Sequence, residues 1–310
     1  MTGQTNSVRA SIGLALSGGG IRGMAHVGVI KALLENKVPI DLISGTSAGA
    51  IIATMYACGY SCQQMVSISN DLELNELLDY KIHVNSFFKS GLNGLKLLFS
   101  GNGSKLWSKL PLGLVKGDRI EEVFRQFWSD KTLRDTKIPL AITAVDIVSG
   151  DTVFFTTPTN MSRSILNARY YHSTRLCDAV RASISIPGIF FPKQYRGMML
   201  VDGAVKNNLP TDILRLLGAQ RVIAVDLGYS GEPNLGIQTI GDVLLQCVEI
   251  MGREVTLLKS APLADVIIRP ALPKPNPKTA DWMAALISAG EASTLTMLSS
   301  IRKAISSVKT

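Results

Sequence analysis

Cysteine, histidine and charged residues are all scarce in this chain of 310 residues. Only 18% of the chain is charged and 46% is hydrophobic, which excludes a disordered or fibrous protein and favours a packed core. The four cysteines are too few for a disulfide scaffold, and nothing beside Cys58 and Cys62 completes a metal site. We therefore expect a globular protein with reduced thiols that uses no metal and no cofactor.

We also expect no signal peptide, because residues 1–10 contain one arginine and no long apolar run. Residues 42–70 carry no charge over 29 positions, which is long enough to cross a bilayer. Glycines and many polar residues interrupt this stretch, so a buried core helix over 48–60 is the better interpretation. We expect a cytoplasmic protein that is at most peripheral at the membrane.

Basic residues outnumber acidic ones by 32 to 24, which gives a formal net charge of +8 and favours an anionic partner. Residues 80–117 concentrate this imbalance, because they hold six lysines among aromatic and leucine residues and no carboxylate. This insertion is predicted either to lie as a flap on an anionic membrane surface or to pack its apolar side inward, and the sequence leaves both open. No recognised nucleic-acid-binding motif is present, so we expect no nucleic-acid partner.

Apolar runs and helical periodicities alternate along the chain, which is typical of an α/β protein. The chain opens with a predicted strand over 11–16, a helix over 21–36, a strand over 38–44 and a helix over 48–60. Two strands joined through a helix imply a parallel sheet. Further strands are predicted at 139–145, 152–155, 198–201, 221–225 and 265–268, and further helices at 120–128, 176–184, 211–217, 243–258 and 282–308.

The pentapeptide Gly45-Thr46-Ser47-Ala48-Gly49 is the strongest local sign of chemistry. It matches G-x-S-x-G, in which a strand turns sharply into a helix and lifts a serine hydroxyl clear of the sheet. The helix N-terminus behind the turn favours developing negative charge. With an apolar strand before it and a helix after it, Ser47 is predicted to be a nucleophile.

A second glycine-rich stretch, Gly18-Gly19-Gly20-Ile21-Arg22-Gly23, begins the first helix. Consecutive backbone amides at a helix start form a cradle for an anion, which in ester cleavage is the tetrahedral oxyanion. Arg22 is expected to hold this loop open or to add positive potential. The stretch also matches G-x-G-x-x-G, so a nucleotide-binding oxidoreductase is an alternative. Asp41 lies at the start of the second strand, however, whereas the acid that binds a ribose belongs at its end.

The base that would activate Ser47 is harder to find. The chain has three histidines, which are His26, His83 and His172. An α/β-hydrolase would place its base in the final part of the chain, and no histidine follows residue 172. A Ser–His–Asp triad stays open but has no well-placed candidate. Three aspartates end predicted strands at one edge of a parallel sheet, where one of them can accept the serine proton: Asp146, Asp202 and Asp226. Asp202 ranks slightly ahead, because Gly203 lets the turn after it tighten.

The glycine-rich stretch at 18–23, the pentapeptide at 45–49 and Asp202-Gly203-Ala204 occur in the order seen in patatin-like phospholipases of the bacterial type, and the chain resembles that family. The blocks at 182–192 and 207–210 resemble further segments of it, so the resemblance covers about residues 12–212. It implies a three-layer α/β/α fold with a mostly parallel central sheet, and a Ser–Asp dyad without histidine. In this chain it implies Ser47 as nucleophile and Asp202 as base. The residues implied to form the oxyanion hole are Gly18, Gly19 and Gly20, and those implied to support the site are Arg22, Gly23, Gly45, Gly49 and Gly203.

We therefore expect a catalytic core over 12–212 with residues 80–117 as an insertion, and residues 213–310 completing the same domain. The resemblance implies hydrolysis of fatty-acyl esters of phospholipids or lysophospholipids through an acyl-enzyme intermediate. Phospholipase A, lysophospholipase and generic esterase activities all fit the motifs. A nonenzymatic module that contacts membranes is the second alternative.

Overall fold

In the part of the chain that the structure describes, nine strands form one central sheet. The computed structural model describes residues 9–71, 111–159, 163–273 and 280–306, so residues 80–110 of the predicted insertion lie outside the described ranges. In chain order the strands are β1 (Ile12–Leu16), β2 (Leu42–Thr46), β3 (Gly113–Val115), β4 (Leu140–Asp146), β5 (Thr152–Thr156), β6 (Ala168–Tyr171), β7 (Gly188–Phe190), β8 (Lys193–Tyr195), β9 (Met198–Asp202), β10 (Arg221–Val225) and β11 (Val266–Ile268). Strands β3 and β7 form a separate pair, and the other nine make up the sheet.

The sheet has the order β11-β10-β1-β2-β4-β5-β6, and β9 pairs with both β4 and β8. The neighbours from β11 to β4 run parallel, as do β5 and β6, whereas β4–β5, β4–β9 and β8–β9 are antiparallel. Strands β1 and β4 are buried along their whole length, as expected for strands covered on both faces. The mostly parallel sheet predicted above is confirmed.

Helices cover both faces of this sheet. They are α1 (Met24–Glu35), α2 (Ala48–Ala57), α3 (Cys62–Asp71), α4 (Asp118–Trp128), α5 (Leu176–Ser183), α6 (Thr211–Leu216), α7 (Ile240–Val255) and α8 (Ala280–Ser306). Alternate side chains of β1 reach different layers: Leu14 and Leu16 join the core under α1, α2, α5 and α8, whereas Ala15 joins the core under α6. The three-layer α/β/α architecture is therefore confirmed. Within the described ranges, no helix combines the length and the apolar character that crossing a bilayer requires.

Helices α1 and α8 approach each other closely. A β carbon at Gly28 would overlap the carbonyl of Ile287, and one at Gly290 would overlap the carbonyl of Ala25. Only glycine leaves room for the two backbones at these crossings. The contact fixes α1, which begins directly after the glycine-rich stretch at 18–23.

Several elements differ from the sequence-based predictions, and the short strands β3, β7 and β8 and helix α3 were not predicted. Strand β2 begins at Leu42 rather than residue 38, because Val38 and Ile40 are buried in irregular chain, and burying an apolar side chain does not require a strand. The first helix opens with a 3₁₀ turn over Gly20–Gly23 before α1. Residues 168–171 form β6, which was not predicted; this strand lies at the sheet edge and its side chains are only partly buried, so no apolar alternation marks it.

Candidate active site

The ends of β2 and β9 meet along one edge of β4. Strand β2 runs parallel to β4 and ends with Thr46 opposite Thr143, whereas β9 runs antiparallel and ends with Asp202 opposite Ala144. The two strands therefore approach the same point of β4 from opposite directions. The residue that follows β2 is Ser47, so the fold brings the predicted nucleophile and the predicted base to one junction.

Ser47 occupies the sharp turn that the pentapeptide predicts. Its φ angle of 55° lies in the left-handed region that residues with a β carbon rarely adopt, and α2 begins at the next residue. The two flanking glycines allow the chain to pass itself at this turn. A β carbon at Gly45 would overlap the backbone of Gly49, and one at Gly49 would overlap the carbonyls of Leu16 and Ser17.

The Asp202 carboxyl is almost completely buried beside Ser47. Burial raises the pKa of Asp202 to about 6, and the hydrogen bonds from the Ser47 side chain and the Ala204 amide oppose this increase. The Ala204 amide donates to Asp202 Oδ1 at 2.8 Å and orients the carboxyl. Between Asp202 and Ala204 only glycine fits, because a β carbon at position 203 would lie 2.5 Å from the Thr143 carbonyl oxygen.

The glycine-rich stretch lies against this junction, but its three amides are not equivalent. The Gly18 amide donates to Asn208, with distances of 3.0 Å to the side-chain oxygen and 3.2 Å to the backbone oxygen. Gly18 was implied as an oxyanion donor, but in this arrangement its amide already has acceptors on Asn208. Across the part of the chain that the structure describes, the amides of Gly19 and Gly20 donate to no acceptor, so these two remain available.

Arg22 holds the loop in shape. Its Nε donates to the Gly19 carbonyl at 3.1 Å, and its guanidinium pairs with Glu249 of α7 at 3.4 Å. Gly23 packs against the start of α2, where a β carbon would lie 2.6 Å from that of Ala48. Of the two roles expected for Arg22, these contacts favour support of the loop.

The histidines within the described ranges do not form a triad with Ser47. His26 lies fully buried in α1 and its Nε2 is 2.8 Å from the Ser17 carbonyl, so this nitrogen carries a proton and donates. Burial lowers the pKa of His26 to about 4. The Nδ1 of His172 lies 3.1 Å from the carbonyl of Thr156. His83 falls outside the described residues.

The rival aspartates have structural partners. Asp41 lies at the N-terminal end of β2, where it pairs with Arg9 and accepts the Ile12 amide at 2.8 Å. Because β1 and β2 are parallel, this is the opposite sheet edge from the glycine-rich stretch, which contradicts a ribose-binding role. Asp146 accepts the Ser149 hydroxyl at 2.8 Å, and Asp226 pairs with Arg269 at 3.1 Å.

Asn208 is the site residue to which sequence reasoning gave no role. It lies 190 positions from Gly18, and only the resemblance of the block at 207–210 marked it as notable. Within the residues that the structure places, no three His, Cys, Asp or Glu side chains group into a potential metal site.

The family model for patatin-like phospholipases matches residues 14–215, which include the glycine-rich stretch, Ser47 and Asp202. The chain belongs to the patatin-like phospholipase family. Patatin-like relatives include human patatin-like phospholipase domain-containing protein 6, which is 30% identical over 242 residues covering 76% of this chain and 14% of the relative. An uncharacterized NTE family protein of Mycobacterium tuberculosis is 27% identical over 228 residues, covering 73% of this chain and 32% of that protein. The chain thus spans less than a third of the length of either relative.

The solved structures that resemble this patatin-like chain include two of low sequence identity. VipD from Legionella pneumophila has a TM-score of 0.49 and 15% identity, with 94% of this chain and 67% of that chain covered. Human GIVD cytosolic phospholipase A2, solved with methyl gamma-linolenyl fluorophosphonate, has a TM-score of 0.46 and 14% identity, with 96% and 60% covered.

Proposed function

We propose that this protein hydrolyses fatty-acyl esters of phospholipids or lysophospholipids with a Ser47–Asp202 dyad. The observation that carries the proposal is the junction of β2 and β9, where the Ser47 hydroxyl faces a buried carboxyl whose pKa is raised to about 6. A serine nucleophile needs a base within hydrogen-bond reach and donors for the oxyanion. Asp202 and the amides of Gly19 and Gly20 provide these groups.

The reaction has two acyl-transfer steps. Ser47 Oγ attacks the ester carbonyl carbon as its proton passes to Asp202, and the oxyanion accepts hydrogen bonds from the Gly19 and Gly20 amides. The C–O bond to the alcohol then breaks, and the leaving oxygen takes the proton from Asp202. A water molecule attacks the acyl-enzyme while Asp202 again accepts a proton, which returns to Ser47 as the fatty acid leaves.

The raised pKa of Asp202 makes this aspartate a better base than an exposed one. A carboxylate of pKa near 4 accepts a serine proton weakly, whereas one of pKa about 6 accepts it more readily and is still ionised at neutral pH. The structural cause is burial, since the hydrogen bonds from Ser47 and Ala204 both act in the opposite direction. This environment supports a base role for Asp202.

The pH dependence of fatty-acid release tests this proposal. The ionised carboxylate is the active form, so kcat/KM should fall about tenfold per pH unit below an apparent pKa of about 6 and level off above it. Release from phosphatidylcholine vesicles and lysophosphatidylcholine micelles, followed between pH 4.5 and 8.5, also separates phospholipase A from lysophospholipase activity. Enzyme returned from pH 4.5 to pH 8 must regain full activity. An acid limb centred near pH 4 would contradict the role given to the buried carboxyl.

An apolar surface next to the site supports a lipid aggregate as the source of the substrate. The outer face of α7 exposes leucine and methionine side chains, with Leu244 60% and Met251 58% exposed, while the polar Gln246 is buried. This arrangement inverts the usual pattern of a surface helix. The same helix carries Glu249, which pairs with Arg22 of the glycine-rich stretch. We propose that this face contacts the membrane, with the net charge of +8 favouring anionic lipid.

Replacing Leu244 and Met251 together with aspartate is expected to lower binding to vesicles about tenfold, because two apolar side chains no longer enter the lipid and two negative charges oppose it. Co-sedimentation with phosphatidylcholine vesicles, with and without phosphatidylglycerol, measures the effect. Leu34→Asp is the matched control, since Leu34 is 44% exposed at the end of α1 far from the glycine-rich stretch. Equal binding by the double variant and the control would show that α7 is not the contact surface.

A further inference from the structure

Strands β2 and β9 end opposite neighbouring residues of β4, and the backbone carbonyl of Thr143 lies between the two strand ends. Thr143 is the last partner of β2 and Ala144 the first partner of β9 along this edge. The side chain of Ser183, the last residue of α5, fills the gap. Its hydroxyl donates to the Thr143 carbonyl at 2.6 Å and accepts the Ser47 amide at 2.9 Å.

The chain just after α5 also contacts the base. The carbonyl of Ser185 accepts the Asp202 amide at 2.9 Å, so residues 183–185 bind the backbone amides of both dyad residues. The buried Arg181 secures this segment, because its guanidinium donates to the Ser185 hydroxyl at 2.7 Å and to the carbonyls of Lys116 and Phe191. The end of α5 is therefore a rigid connection between Ser47 and Asp202.

We infer that Ser183 is a positioning residue that holds Ser47 in line with Asp202. The inference rests on the proposed function. Ser47 has a φ of 55°, a strained conformation that persists only where the surroundings determine it. A hydroxyl can donate and accept at once, and Ser183 uses both abilities to tie the Ser47 amide to the neighbouring strand. Because Ser183 is completely buried, it acts on the reaction through Ser47 and not by touching substrate.

Loss of this hydroxyl should affect the chemical step more than substrate binding. Ser183→Ala leaves the Ser47 amide and the Thr143 carbonyl without their partner and allows the turn at Ser47 to shift. A displacement on the order of 1 Å at a reacting group costs about 100-fold, so we expect kcat to fall about 10- to 100-fold while KM stays within about twofold. Ser183→Thr keeps the hydroxyl and should recover most of the loss. The thiol of Ser183→Cys is a weaker hydrogen-bond group, so the kcat of this variant should lie between those of Ser183→Ala and Ser183→Thr.

A buried serine on β2, the strand that leads into the nucleophile, provides the matched control. Ser44 is fully buried on β2 and donates to the Pro210 carbonyl at 2.8 Å, but it has no hydrogen bond to Ser47. Ser44→Ala should lower the thermal unfolding midpoint about as much as Ser183→Ala and leave kcat near the wild-type value. If Ser183→Ala does not fold, the other two variants still test the positioning role, which predicts that kcat decreases from the wild type to Ser183→Thr and then to Ser183→Cys.

Two measurements on the wild type and these variants separate the possible failures. One is fatty-acid release from phosphatidylcholine vesicles, and the other is the rate at which a fluorophosphonate probe labels Ser47. A positioning role for Ser183 predicts that both rates fall together in Ser183→Ala and are mostly recovered in Ser183→Thr. Wild-type rates in Ser183→Ala, or equal losses in Ser183→Ala and Ser44→Ala, would overturn the positioning role and leave the proposed function intact. A wild type that neither releases fatty acid nor reacts with the probe would overturn both.

Discussion

Replacing Ser47 with alanine is expected to lower kcat/KM for fatty-acid release by at least about 1000-fold, because the acyl group then has no nucleophile to accept it. The remaining groups of the site, including the Gly19 and Gly20 amides, still polarise the ester but supply only a small residual rate. The backbone of the turn is kept, since alanine and serine are equally strained at a φ of 55°. Fatty acid released from phosphatidylcholine vesicles at pH 8 measures the effect.

Ser230→Ala is the control for this experiment, because Ser230 is an exposed serine in the loop after β10. It should match the wild type in rate and in thermal unfolding midpoint. Ser47→Ala should also unfold near the wild-type temperature, which would show that its lost activity is chemical. Activity of Ser47→Ala within about tenfold of the wild type would rule out Ser47 as the nucleophile.

Replacing Asp202 with asparagine is expected to have a similar effect, again at least about 1000-fold on kcat/KM. Asparagine keeps the size of the side chain and an oxygen for the Ala204 amide, but it cannot take the Ser47 proton. The variant should be at least as stable as the wild type at pH 8. The folded state binds the proton of Asp202 more tightly than the unfolded state, because burial raises the pKa of this carboxyl to about 6. Ionisation of Asp202 as the pH rises through about 6 therefore destabilises the fold. Asparagine has no charge to bury and avoids this loss.

Asp146→Asn separates this effect from the loss of any buried carboxylate. Asp146 also ends a strand and is also buried, but it accepts the Ser149 hydroxyl and the Val148 amide, and within the described residues it has no hydrogen bond to Ser47. Its loss should lower the unfolding midpoint and leave most of the activity. The dyad would be wrong if Asp202→Asn kept the wild-type rate or if the two variants lost activity equally.

The pentapeptide around Ser47 could be recognised from sequence because its signals are local. A buried strand, two glycines at fixed spacing and a helix follow one another within residues 42–57, and each is visible in the pattern. The base could not be chosen in the same way. Asp146 and Asp202 end strands and Asp226 directly follows one, and from the residues alone only Gly203 placed Asp202 slightly ahead. The antiparallel pairing of β9 with β4 joins residues far apart in the chain and leaves no periodic signal.

The oxyanion loop shows the same limit. Gly18, Gly19 and Gly20 are indistinguishable in sequence, and each was implied as a donor. The structure separates them through Asn208, whose side chain and backbone oxygens both accept the Gly18 amide. A contact across 190 positions depends on the complete fold, so local pattern has no means to predict it. The same holds for Ser183, which lies in a block that resembled the family but had no assigned role.

The most direct test of the dyad is labelling with a fluorophosphonate probe followed by mass spectrometry of the modified peptide. The probe forms a covalent bond with a serine oxygen that a neighbouring base has activated. A Ser47–Asp202 dyad predicts modification of Ser47 in the wild type and in Asp146→Asn, and at least about 100-fold slower modification in Asp202→Asn. Rapid labelling of Ser47 in Asp202→Asn, or labelling of a different serine in an enzyme that releases fatty acid, would contradict it.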